Sequence, residues 1–145
     1  MNGNLGKVAA AVALAIAAGC ASTGNGGEGS KVVYHINEGV AKATPVLGNV
    51  RNHLNADPKA KIVVVAHGPG IDFLLEGAKD KDGNPFDASV DTLKEKGVEF
   101  RVCNNTLVSR KIDRSKVNMQ ATIVPSGVAE VARLQAEERF AYVKP

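Results

Sequence analysis

Residues 61–66 read KIVVVA, five consecutive apolar residues set between polar breakers. A strand with one face in water alternates apolar and polar side chains, so an unbroken run needs cover on both faces. Such strands belong to parallel sheets flanked by helices, and no other stretch restricts the fold as much. The segment before it supplies the start of that sheet. KVVYHI (31–36) is a β-branched strand between a glycine-rich stretch and Asn37-Glu38-Gly39. Between the two strands, Val40, Ala43, Leu47, Val50 and Leu54 recur every three or four residues, forming one apolar helical stripe. Thr44 is expected to cap the regular part of that helix, with Pro45 at its first position and Asp57-Pro58 closing it.

The same alternation continues downstream. His67-Gly68-Pro69-Gly70 turns the chain out of the apolar run, Ile71 to Ala78 is expected as a short helix, and DKDGNP (80–85) as a surface loop. Asp87 is placed as the cap of a helix carrying Val90, Leu93 and Lys94, ended by Gly97. VEFRV (98–102) is a third strand with Glu99 and Arg101 on its polar face, a pattern that predicts a place near a sheet edge or beneath a partner subunit. Cys103-Asn104-Asn105-Thr106 leads into a short helix around Leu107 to Lys111. ATIV (121–124) is a fourth strand, and Pro125-Ser126-Gly127 opens a last helix bearing Val128, Val131 and Leu134. FAYV (140–143) is a fifth strand or a packed tail.

Strands alternating with helices predict a small, doubly wound α/β fold: a mostly parallel sheet with helices on both faces, a three-layer sandwich. Spacing leaves the strand order open. The 145 residues allow one such domain, and the 4% aromatic content requires a core of Val, Leu, Ile and Ala.

The first thirty residues read differently. MNGNLGK carries one positive charge and is followed by eleven apolar residues, Val8 to Ala18. A bilayer span needs about 20, whereas a secretory signal peptide needs a core of this shorter length. Gly24 to Ser30 has the composition of a flexible linker. Ala17-Ala18-Gly19-Cys20 resembles the lipobox of bacterial lipoproteins, which implies a diacylated Cys20 as the first mature residue; an ordinary cleaved peptide giving a soluble periplasmic protein is the alternative. The expected organisation is a signal peptide over 1–19, a linker over 20–30 with candidate lipidated Cys20, and a domain over 31–145. The expected location is the periplasm, lipid-anchored to the outer membrane, with no membrane contact beyond the anchor.

A net charge of +3 is small, and the basic cluster Arg110, Lys111, Arg114 and Lys116 has no aromatic residue interleaved. Both features argue against nucleic-acid binding.

Open α/β sheets bind ligands beyond the carboxyl ends of their strands, where Asn37-Glu38, His67-Gly68 and Cys103-Asn104 lie. A thiol at Cys103, just before a helix, can receive helix N–H groups that favour thiolate, the nucleophilic form. Equally, a free cysteine there can be a small buried hydrophobe. With Cys20 acylated, Cys103 has no intrachain disulfide partner. Asn104, Asn105 and Thr106 either cap the following helix or donate hydrogen bonds to an anion. His67 has the chemistry of a proton donor or acceptor near neutrality, or of a strand cap. Paired with Asp72 or Glu38, it would support hydrolysis. His35 lies inside the first strand and His53 beside the first helix's buried face. No HExxH, CxxC, GxxxxGK[ST] or GxSxG spacing occurs, and the glycines after His67 lack the GxGxxG spacing of a phosphate loop, so neither a metal nor a cofactor is expected.

AHGPGIDFLLEGA (66–78), GVEFRVCNNTL (97–107) and VPSGVAEVARLQAEERFAYVKP (124–145) resemble the DsrE/DsrF-like family of sulfur-relay and sulfur-oxidation proteins over about residues 31–145, most strongly a largely uncharacterised subgroup. The resemblance implies a doubly wound α/β domain in a homo-oligomer, a trimer or hexamer. It also implies, at the position of Cys103 in RVCNNTL, a cysteine that carries persulfide between partners. His67 lies in the subgroup's own AHGPG segment and takes no role from the better-studied members. Two readings follow. In one, Cys103 is the nucleophile of a sulfur carrier facing a sulfane-sulfur donor or acceptor thiol, with Asn104 stabilising charge and His67 moving a proton. In the other, the domain is a non-enzymatic oligomeric module for small-ligand binding or assembly, and Cys103 is structural.

Overall fold

The apolar runs become strands: β1 (Lys31–Ile36), β2 (Lys61–Ala66), β3 (Glu99–Cys103), β4 (Ala121–Val124) and β5 (Ala141–Val143). They form one sheet in the order β4-β3-β2-β1-β5, with every neighbouring pair parallel. The computed structural model describes residues 27–145; Cys20 and the segment read as a signal peptide lie outside the described residues. Among the described residues, no helix is long and apolar enough to cross a membrane.

Four α-helices connect the strands: α1 (Val40–Ala56), α2 (Phe86–Glu95), α3 (Asn104–Ser109) and α4 (Gly127–Ala136). The chain steps from β1 to β4 in one direction across the sheet. Right-handed crossovers therefore put α1, α2 and α3 on one face. The chain then returns past β3, β2 and β1 to place β5 on the far side of β1, and the same handedness carries α4 over the opposite face. The two cores follow this division. Ile62, Val64 and Ala66 of β2 pack with α1, α2 and α3, while Val63 and Val65 pack with Val131 and Leu134 of α4. KIVVVA is thus buried on both sides, as its composition requires.

Several boundaries differ from expectation. The first helix begins at Val40 rather than at Thr44, and Pro45 lies inside it. Proline's missing N–H would bond only the carbonyl of Ala41 in the first turn, and burial of Ala43, Val46, Leu47, Val50 and Leu54 outweighs that loss. The helix expected over 71–78 is a 3₁₀ helix over Gly68–Leu74 instead. It sits hard against the end of β1, where a Cβ on Gly70 would come within 2.3 Å of the Ile36 carbonyl oxygen. Asp87 lies in the first turn of α2, with Pro85 in the capping position.

The third strand is interior, between β2 and β4, rather than at an edge. Its polar face is explained by α4: Arg101 bonds Glu99 at 2.7 Å and pairs with Glu130, which in turn accepts from Arg133. Arg133 also reaches Glu138 at 2.7 Å. An ion network under one helix reproduces the alternation of a solvated strand. FAYV does become a strand, at the edge of the sheet.

Candidate functional site

The connections diverge between two neighbouring strands. β3 leads into α3 on one face and β4 into α4 on the other, creating the topological switch point at which open α/β sheets place ligands. Cys103 ends β3 there, in register with Val124 of β4. Pro125-Ser126-Gly127 then starts α4, and the Ser126 hydroxyl caps it by accepting from the Ala129 N–H at 3.4 Å.

The register that sets Ala66 beside Val102 brings His67 alongside Cys103 one residue later. Gly127 fits between them: a Cβ added to it would lie 3.1 Å from the Cβ of His67 and 3.2 Å from that of Cys103. Only a residue without a side chain lets the first N–H of α4 come this near the thiol.

Cys103 is 5% exposed. Burial pushes its thiol pKa up. The backbone N–H of Gly127, the Thr106 hydroxyl and the backbone N–H groups of Thr106 and Asn105 outweigh that effect and hold the thiol below its ordinary value. Thr106 is oriented for this task. Its Oγ1 accepts from the Gly68 N–H at 2.9 Å, leaving the hydroxyl hydrogen free to point at sulfur. The wall around the sulfur is therefore amide and hydroxyl as well as hydrocarbon.

Asn104 is placed otherwise: its Oδ1 accepts from Arg114 at 2.9 Å on the surface. Of the three polar residues after the cysteine, the chain uses the Thr106 side chain and the Asn105 backbone at the thiol.

His67 has a partner that the sequence reading did not single out. Its Nε2 lies 2.6 Å from Nε2 of His35, with the rings stacked at a centroid distance of 4.7 Å. Nδ1 of His35 lies 2.7 Å from the Tyr142 hydroxyl. His35 stands opposite Val65 in register and thus diagonally next to His67 on the α4 face. Burial lowers the pKa of both imidazoles, Lys144 adds to the lowering, and Glu38 opposes it; His35 is lowered further by His67. On balance these surroundings favour the neutral form of each ring. The only hint in the sequence was matching parity, since His35 and His67 each fall on the face shared with Val33 and Val65.

The acids considered as partners for His67 are committed elsewhere. Asp72 pairs with Arg110 at 2.6 Å and Glu38 with Lys144 at 3.0 Å. His53 is structural, bonding the Tyr34 hydroxyl and the Ser30 hydroxyl at 3.0 Å each. Among the described residues, no three His, Cys, Asp or Glu side chains gather as a metal site.

Comparison with known proteins agrees with this architecture. None of the curated proteins compared with the chain matches it. A solved structure of a protein of unknown function, MTH1491 from Methanobacterium thermoautotrophicum, is 30% identical, with a TM-score of 0.71 over 80% of this chain and 99% of that one. The crystal structure of the ychN protein from E.coli shares the fold at 13% identity, with a TM-score of 0.64 over 80% of this chain and 99% of that one. The model of the DsrE/DsrF-like family matches residues 9–145, reaching upstream of the start at residue 31 that the sequence suggested. The chain belongs to the DsrE/DsrF-like family, a family connected with sulfur relay.

Proposed function

We propose that the protein is a thiol-based sulfur carrier or sulfur-binding protein in which Cys103 is the persulfide-forming nucleophile. One arrangement carries the reading: Cys103 ends β3 at the switch point, closely approached by Gly127 at the start of α4, and the amide and hydroxyl groups there lower its thiol pKa against the effect of burial. In loading, the Cys103 thiolate attacks the outer sulfur of a donor R–S–SH. A new S–S bond forms on Cys103 with the hydrogen still on the transferred sulfur, the donor's S–S bond breaks, and its electron pair leaves on R–S⁻. In unloading, an acceptor thiolate attacks that outer sulfur and regenerates the Cys103 thiolate. The sulfane sulfur changes owner, and no external oxidant or reductant takes part.

The test is intact-mass analysis after incubation with polysulfide. The wild-type chain should gain one sulfur and Cys103→Ala none. A wild-type chain that gains nothing under conditions that load an established carrier refutes the proposal.

The 5% exposure of Cys103 favours a second reading, a non-enzymatic oligomeric module in which the cysteine packs a strand end. Thiol modification that is slow in the folded chain and fast only after unfolding supports it; modification of the folded chain supports the carrier. For either reading we propose export, with acylation at Cys20 tethering the domain to the outer membrane, on the strength of the apolar run and the Ala18-Gly19-Cys20 sequence. Metabolic labelling with a fatty acid, lost in Cys20→Ala, tests this.

A further inference from the structure

We propose that Tyr142, His35 and His67 form a proton wire joining solvent to the sulfur-transfer site, with His35 as its coupling residue. The inference rests on the carrier reading of Cys103 and adds the proton route that such a carrier needs. Sulfur transfer moves no net electrons, but it moves protons: the departing R–S⁻ takes one during loading, and an acceptor thiol must give one up before it can attack during unloading.

The geometry supplies both ends. Tyr142, on edge strand β5, is 43% exposed. Its hydroxyl meets Nδ1 of His35 at 2.7 Å, and Nε2 of His35 meets Nε2 of His67 at 2.6 Å. At the other end, Nδ1 of His67 makes no hydrogen bond among the described residues and is open to solvent, and so to an incoming donor or acceptor; the Cβ of His67 borders Gly127 together with that of Cys103. A proton accepted at Nδ1 of His67 is matched by one released from its Nε2 to His35. His35 releases one from Nδ1 to the Tyr142 oxygen, and the Tyr142 proton passes to water. The reverse sequence delivers a proton inward.

The relay runs on neutral rings, the form that burial of the pair favours. The charged and titratable groups around the pair are Lys144 and Glu38, which pair with each other, together with Tyr142 and Cys103. On α4, Glu130 is tied to Arg101 and Arg133. On the 3₁₀ helix, Asp72 is tied to Arg110. Two imidazoles in direct contact accept a first proton between them and resist a second, so they titrate as a pair.

The experiment loads the full chain with inorganic polysulfide and withdraws the sulfur with a small alkyl thiol, followed by mass across a pH series. At pH 7, His35→Asn and Tyr142→Phe should release sulfur at least about tenfold more slowly than wild type, a modest share of ordinary general-base effects. The difference should shrink at pH values where the acceptor is already thiolate, and added imidazole should restore the His35→Asn rate. Release within twofold of wild type at pH 7, or a defect of equal size at every pH, overturns the wire. Ring-nitrogen NMR gives a readout independent of sulfur: His35→Asn and Tyr142→Phe should both displace the titration of His67. If His67 titrates unchanged in His35→Asn, the wire alone fails. If wild type takes up no sulfur, the carrier reading fails and the role of the wire in transfer falls with it.

Discussion

Replacing Thr106 by Val removes one hydroxyl from the wall around Cys103 while preserving shape, and so isolates how the thiol is kept acidic. The lost hydrogen bond is one made to a charged sulfur, a class worth about 1.5–3 kcal/mol. At a pH below the thiol pKa of both proteins, that difference reduces the thiolate population about 10-fold to 150-fold. Intrinsic nucleophilicity recovers nearly half of this logarithmically, because a more basic thiolate attacks faster, with a Brønsted slope of about 0.4–0.5. The expected net loss in rate toward a small disulfide reagent is about 4-fold to 15-fold. Above both pKa values the order should invert, with the variant the faster. Thr106→Ser, which keeps the hydroxyl, should follow wild type. The Gly68 N–H also loses its acceptor, so Thr106→Val should unfold more easily by about 1–3 kcal/mol. Loosened packing would instead speed the reaction at every pH. A Thr106→Val chain that reacts as fast as wild type at low pH refutes the claim that this hydroxyl stabilises the thiolate.

Two other substitutions test the surroundings. Gly127→Ala places a methyl 3.1 and 3.2 Å from β-carbons anchored on two strands, so α4 must retreat by a few tenths of an ångström. Overpacking costs about 1–3 kcal/mol and alanine's helix preference returns about 0.5–1, so a net loss of about 1 kcal/mol is expected by denaturant melting. The thiol should become less acidic as the Gly127 N–H withdraws. Glu130→Ala removes the shared partner of Arg101 and Arg133 and should cost about 1.5–3 kcal/mol. Arg133 first, and Arg101 after it, hold the Glu130 carboxyl below its ordinary value against the effect of burial. A depressed folded-state pKa stabilises above the unfolded value, near 4.3, and that stability is lost as pH falls through the folded one. The stability difference between wild type and Glu130→Ala should therefore be largest at neutral pH and close on acidification. A difference that does not change with pH refutes the ion-pair account.

The fold was legible because its signals are local. An apolar run buried on both faces, helical stripes between such runs, and a serine cap before Val128 and Val131 each report on a few neighbouring residues, and the structure keeps all three. The misreadings came where long-range contact overrode a local cue. Pro45 looked like a helix start, yet α1 begins five residues earlier because its buried stripe already runs from Ala43. The polar face of VEFRV looked solvated, yet it meets Glu130 of a helix nearly thirty residues away.

The candidate site divides in the same way. Cys103 at a strand end, with amide donors from the next helix, was visible in RVCNNTL because a strand followed directly by a helix aims its first N–H groups at that residue. No spacing rule carries the pairing of His35 with His67, 32 residues apart, or the approach of Gly127 to Cys103, 24 residues on. Those contacts depend on which strands become neighbours. Once β2 lies between β1 and β3, and α4 crosses the opposite face to reach β5, two histidines, a tyrosine and a thiol share one surface. Side-chain chemistry along the chain determined the elements and the reactive atom, and strand order, which is a property of the assembled sheet, decided what stands next to it.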